Sequence, residues 1–156
     1  MPKTAKTTAA DRTPPQLTRE NLGFLLAKAS QRWNELLAER FAAAGFPEVR
    51  PSYGSILVPL YEEDGLRIGE IARRARLSKQ TLTTMVRLLE RDGLVERRSD
   101  PQDGRAALVL LTPRAQAFRP VAEATLRELA RLTRRRLGAK QAQAITDGLR
   151  RLAELE

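Results

Sequence analysis

Residues 66–113 read LRIGEIARRARLSKQTLTTMVRLLERDGLVERRSDPQDGRAALVLLTP, and the period of their apolar side chains changes along the way. Ile68, Ile71, Ala72, Ala75 and Leu77 mark a short helix and the turn after it. Ser78 is a good N-cap, because its hydroxyl accepts a hydrogen bond from an otherwise orphaned first-turn N–H. Leu82, Met85, Val86 and Leu89 then share one helical face, and Gly93 stands where a C-cap glycine belongs. Past Gly93 the pattern becomes extended. Leu94–Arg98 and Ala106–Leu111 read as two strands joined by SDPQDGR, in which Pro, Asp and Gly favour a reversal. Two short helices, a tight turn and a following hairpin make a winged helix-turn-helix.

The flanks read as helices. Upstream, Leu22, Leu25, Leu26, Ala29, Trp33, Leu36, Leu37 and Phe41 recur at intervals of three and four over about 17–44, with Thr18 to cap the start and Gly45 to end it. A second helix starts at Pro51, carries Ile56, Leu57 and Leu60, and stops near Asp64-Gly65, with Pro59 expected to kink it. Downstream, Thr112-Pro113 opens a helix bearing Val121, Leu126, Leu129 and Leu132, in which Pro120 predicts a bend. Gly138 breaks the chain before a last helix with Ile145, Leu149 and Leu152. Residues 1–16 are polar and read as a flexible tail. The expected architecture is mainly α with a small antiparallel β-hairpin wing. It forms one domain over 17–156, with the winged lobe at 51–112 between flanking helices at 17–45 and 113–156. The apolar stripes over 22–41 and 121–152 exceed what a small winged lobe covers, which predicts an all-α interface with a second copy.

Lys and Arg number 28 against 19 Asp and Glu, a net charge of +9, which points to a polyanionic partner. There is no cysteine and no histidine. Thiol redox sensing, disulfides, most transition-metal sites and histidine-based catalysis are therefore excluded. No Lys, Ser and carboxylate cluster replaces them, so neither catalytic residues nor a cofactor is expected. No apolar run approaches a membrane span and the N-terminus has no apolar core, so a cytoplasmic protein without a membrane partner is expected.

The helix after Ser78 carries Gln80, Thr83, Thr84, Arg87 and Arg91 on or near the face opposite Leu82, Val86 and Leu89. None is acidic. Gln pairs with adenine edges, Arg with guanine edges, and a Thr methyl meets the thymine methyl. Ser78 and Lys79 stand at the helix N-terminus, where a phosphate is favoured. The hairpin adds Arg97, Arg98 and, just after its tip, Arg105, suited to a narrow minor groove. Asp100 and Asp103 suit a different role, one of them orienting Arg105 through a charge-assisted hydrogen bond. An ordinary solvated face is the bland alternative. The Arg134–Arg136 run suits the negative end of a helix dipole at least as well as a DNA contact.

DPQDGRAALVLLTP (100–113) resembles the DP-x-D-x-R…LT-x wing of the MarR family of bacterial regulators. LSKQTLTTMVRLLERDGLVER (77–97) is similar to that family's recognition helix and first wing strand, and GEIARRARL (69–77) to the helix before them. Ala115, where a glycine is common, and Pro59 depart from the pattern. The resemblance implies a homodimeric repressor that reads a pseudo-palindromic site in double-stranded DNA. Gln80, Thr81, Thr83, Thr84 and Arg87 would lie on the reading helix, and Asp103 and Arg105 at the wing. It also implies a small phenolic or aromatic effector, for which Trp33 and Tyr53 are the aromatic candidates. The competing readings are a duplex binder without sequence preference and a winged-helix module that docks on protein.

Overall fold

In the computed structural model, residues 17–155 are described; the expected tail at 1–16 and Glu156 lie outside the described residues. The elements are α1 (Leu22–Ala43), a single 3-10 turn (Pro51–Tyr53), α2 (Gly54–Glu62), β1 (Leu66–Arg67), α3 (Ile68–Ala75), α4 (Lys79–Arg91), β2 (Val95–Asp100), β3 (Asp103–Leu111), α5 (Pro113–Leu137) and α6 (Ala139–Leu152). The chain divides into two units between Leu36 and Leu37, within α1.

In the first unit, α1 starts later than its apolar pattern suggests. Asn21, not Thr18, caps it: its side-chain oxygen accepts the Phe24 N–H at 2.8 Å, while Thr18 Oγ1 takes the Glu20 N–H outside the helix. Leu22, Phe24, Leu25, Leu26 and Trp33 are all exposed.

In the second unit, two helix ends use glycine as expected. Gly45 (φ 91°) ends α1, with the Phe46 N–H donating back to the Phe41 carbonyl at 2.9 Å. Gly93 (φ 76°) ends α4 in the same way, the Leu94 N–H reaching Leu89. The turn between α3 and α4 is closed instead by Arg76, which adopts the left-handed conformation (φ 52°) that favours glycine.

The wing is part of a three-stranded antiparallel sheet in the order β1-β3-β2. The sequence pattern gave the hairpin but not β1, whose two residues pair with Val109 and Leu108. The hairpin strands also run closer to the tip than expected, with Ser99 opposite Ala107 and an irregularity between Ser99 and Asp100. α2, α3 and α5 pack on β3, and α4 packs on β2. Tyr53, Ile56, Leu60, Ile71, Leu82, Val86, Leu89, Leu94, Val109 and Leu129 are fully buried, each apolar side chain contributing about 1.5–3 kcal/mol. Phe118 of α5 meets Phe41 edge-on at 4.8 Å between centroids and Phe46 at 5.3 Å. α2 runs through Pro59 and α5 through Pro120 without interruption.

α2 and α5 are also joined by the Tyr61 hydroxyl, which donates to the Ala115 carbonyl at 2.6 Å. Burial pushes the Tyr61 pKa up from 10.0 to about 12, with Arg119 opposing the rise. The neutral phenol is thus the form the folded chain favours. Its contribution to stability is complete below pH 10, the unfolded value, and is lost as pH rises toward 12. We expect the melting temperature of the wild type to fall across pH 10–12, and Tyr61→Phe to be less stable at pH 7 but flatter over that interval. Equal slopes for the two proteins would place the alkaline sensitivity elsewhere.

Candidate nucleic-acid interface

The orientation of α4 follows from what it buries. Leu82, Val86 and Leu89 have no solvent exposure. At ~100° per residue the opposite arc must face outward, and Gln80, Thr81, Thr84 and Arg87 are exposed, with Thr83 half-buried. Ser78 caps the helix as expected: its Oγ accepts the Thr81 N–H at 3.1 Å and donates to Thr81 Oγ1 at 2.8 Å. Thr83 and Thr84 donate their hydroxyls to the Lys79 and Gln80 carbonyls at 2.7 and 3.2 Å. With those protons committed to backbone, the two residues present a methyl group and an acceptor outward. The Lys79 stem lies over Gly69 of α3, where an added Cβ would stand 3.1 Å from Cε. That glycine thereby leaves room for the lysine beside the start of the helix-turn-helix. Gln80 and Arg87 make no side-chain hydrogen bond or ion pair among the described residues.

In the wing the two aspartates act otherwise than expected. Asp100 is one of the few buried polar residues, 7% exposed. Its Oδ1 takes the Gln102 N–H at 2.9 Å, and its Oδ2 takes Arg67 Nε at 2.7 Å from across β3. These two interactions, the backbone one first, hold its carboxyl below the usual range. Asp103 Oδ1 accepts the backbone N–H of Arg105 at 3.1 Å. So neither aspartate orients the Arg105 guanidinium; together they shape the tip on which it stands. The Arg105 side chain is exposed and has no partner among the described residues. Arg98, also expected on DNA, is exposed but paired with Glu96. Arg97 is a strut: its guanidinium grips Glu90 of α4 at 3.0 and 2.9 Å, tying wing to helix. The sequence set Arg105 apart by its place just after the tip, but nothing in it pointed to the Arg97–Glu90 tie or to Arg67.

A cavity of about 430 Å³ lies between the end of α1, α2 and α5, walled by Phe41, Val49, Leu57, Phe118 and Leu126, with Arg50 and Arg119 at its edge. Arg119 is paired with Glu123 at 3.2 Å, whereas Arg50 has no ion pair among the described residues. Tyr53 was expected to face such a pocket, and the structure does not place it there. Arg50, Pro51 and Gly54 line the cavity, but the Tyr53 ring points into the core. Its hydroxyl donates to Asp92 Oδ2 at 2.5 Å. Burial, and then that carboxylate, raise the Tyr53 pKa, while Arg91 first and Tyr53 second lower that of Asp92. Trp33 stands on the first unit's stretch of α1, 36% exposed.

Residues 51–107, the winged lobe without the end of β3, match the family model for the MarR family. The transcriptional regulator TtmR of Methylorubrum extorquens is 30% identical over 118 residues, 76% of this chain. The match spans 59% of that relative's length, so the chain covers a little over half of it. Among solved structures, a probable transcriptional regulator from Pseudomonas aeruginosa is 29% identical with a TM-score of 0.72, covering 85% of this chain and 97% of its own. The transcriptional repressor CouR, solved on a 23-mer DNA duplex, is 26% identical with a TM-score of 0.73, covering 90% of this chain and all of its own. The likeness is thus to regulators of the MarR family, in sequence over the winged lobe and in fold over most of the chain.

Proposed function

We propose that the chain is a sequence-specific DNA-binding transcriptional repressor that acts on a pseudo-palindromic operator as a homodimer. The observation that carries this reading is the outward arc of α4. Its residues from Ser78 to Arg87 include no acid, and Gln80 and Arg87 are left without protein partners beside the unpaired Arg105 of the wing. Such groups are costly to leave idle in a core but useful at base edges and phosphates. The DNA-bound form of CouR supports the same assignment. Ser78, Lys79 and Thr81 would meet phosphate at the start of α4. Gln80, Thr83, Thr84 and Arg87 would meet base edges, and Arg105 the minor groove, on a tip framed by Asp103. Arg98 would reach the backbone by exchanging Glu96 for phosphate. Among the described residues no helix is long and apolar enough to cross a membrane.

The roles separate by experiment once footprinting on the gene's own upstream region has defined an operator. Gln80→Ala is expected to cost ~1–3 kcal/mol, concentrated at one base pair per half-site. Arg105→Ala is expected to weaken binding to most sequences and to lower the slope of log affinity against log salt by about 1 per subunit. A uniform loss for Gln80→Ala together with an unchanged slope for Arg105→Ala would refute the assignment.

The dimer reading rests on α6, none of whose residues is buried although Ile145 and Leu149 are apolar and 47% and 45% exposed. Exposed apolar stripes of this kind mark an interface. Sedimentation is expected to give a dimer at micromolar concentration for the wild type and a monomer or unfolded chain for Leu149→Asp with Leu152→Asp. A monomeric wild type removes the proposal.

The effector reading rests on the 430 Å³ apolar cavity with Arg50, which forms no ion pair among the described residues, at its rim. Salicylate, as a phenolic acid probe, is expected to reduce operator affinity by a factor within the usual allosteric range of about 5–150, and Arg50→Gln to blunt that effect. Equal sensitivity of the two proteins would move the effector to another site.

A further inference from the structure

Most arginines among the described residues are claimed by a carboxylate: Arg67 by Asp100, Arg97 by Glu90, Arg114 by Glu48, Arg150 by Asp147. Cations without one are concentrated in two places. The first is the α4 face and wing tip, with Lys79, Arg87 and Arg105. The second is the corner where α5 passes into α6. There Arg131, Arg134, Arg135, Arg136 and Lys140 are all exposed, and none forms an ion pair or side-chain hydrogen bond among the described residues. No acidic residue occurs between Glu128 and Asp147. Glu128 is held by Arg40, at 3.0 and 2.8 Å, and its charge also acts on Arg131 and Arg135 without an ion pair to either, so one carboxylate stands at the edge of five cations.

The helix dipole does not account for this cluster. It favours cations only within the last turn of α5, which covers Arg134–Arg136. Arg131 lies earlier and faces Arg135 one turn on, a repelling like-charge pair. Lys140 is the second residue of α6, at the positive end of that helix, whose first turn has no acid. Five side chains and a helix N-terminus thus present one sign of charge, at a cost to the isolated chain. The corner also lacks the aromatic or large apolar anchors that dominate protein–protein contacts: Leu132 and Leu137 are half-buried and the rest is Ala, Gln, Thr and Gly. A phosphate backbone needs only the charges. Arg134 is 21 residues beyond Pro113, about 30 Å along α5 from where that helix leaves the wing sheet.

We propose that the α5–α6 corner is a second, sequence-independent contact for the phosphate backbone of duplex DNA, separate from the reading helix. It shares its partner with the proposed function but none of its residues. The test measures affinity of the full chain for a random-sequence duplex against salt concentration. It compares the wild type, Arg134→Gln/Arg135→Gln/Arg136→Gln, and the same three positions changed to Lys. The Gln variant is expected to lower the log–log slope by about 2–3 per chain, at about 0.9 for each phosphate contact. The Lys variant is expected to keep most of the slope, and operator base preferences are expected to stay unchanged in both. Circular dichroism checks folding; should the triple Gln variant not fold, Arg131→Gln/Lys140→Gln takes its place, with a loss of about 2. An unchanged slope overturns the proposal. So does a reduced slope that appears only with dissociation to monomer in sedimentation, since the corner would then serve a second copy. The random duplex reads this surface even if no operator preference exists, so failure of the proposed function is seen separately.

Discussion

The burial of Leu82, Val86 and Leu89 is the constraint on which the rest of the structure depends. Three fully covered side chains within eight residues fix the rotation of α4 about its axis. That rotation alone determines which side chains are left outside. The ends are then fixed independently, by the Ser78 cap and by the return at Gly93. Two further ties set the helix against its neighbours: Glu90 to Arg97 of β2, and Asp92 to Tyr53 at the start of α2. Removing one such leucine typically costs 2–5 kcal/mol, against a total stability of about 5–15 kcal/mol. The outward face is therefore polar and free to vary because the inward face is not.

What the sequence disclosed is what local physics writes into it. Ser78, Gly93, Gly45 and Thr112 act on the turns next to them, and the periods that place α3, α4 and the hairpin lie within single elements. What it did not disclose depends on distant partners. β1 has two residues and no period; it exists because Leu66 and Arg67 lie beside Val109 and Leu108, some forty residues away. Thr18 and Asn21 are both competent caps, and the choice between them turned on where helical geometry begins, which apolar spacing marks only to within a turn. Tyr53 had an aromatic ring at the right place for a pocket. Its direction is decided by Asp92, 39 residues on, and by the depth of the core beneath it.

The arginines show the same division more sharply. In sequence Arg97, Arg98 and Arg105 are three basic residues of one hairpin, of which only Arg105 is set apart, by its place just after the tip. In space Arg97 holds the wing to α4, Arg98 is paired with Glu96, and Arg105 alone has no partner among the described residues. A guanidinium with a carboxylate in reach makes a charge-assisted fork that sets local geometry. One without such a partner keeps its hydrogen-bonding capacity for something outside the chain. Net charge, which first suggested a polyanion, cannot make this distinction, since paired and unpaired arginines count alike.

The Tyr53–Asp92 hydrogen bond also bears on how a ligand could act at a distance. Arg50, Pro51 and Gly54 face the cavity, and Tyr53 between them faces the core. Asp92 is the C-cap of α4. Displacing the backbone around Pro51 therefore drags a buried ring that is packed in the core and bonded to the end of α4. The core resists compression, so such a displacement is passed on more readily than absorbed. Under the proposed effector reading, a ligand changes DNA affinity only by the difference in its own affinity for the DNA-binding and released forms of the chain. A molecule that merely fills the cavity as it stands binds without effect. One that forces Arg50 and the turn after it outward must work against the Tyr53 anchor, and that work is subtracted from the affinity with which it binds.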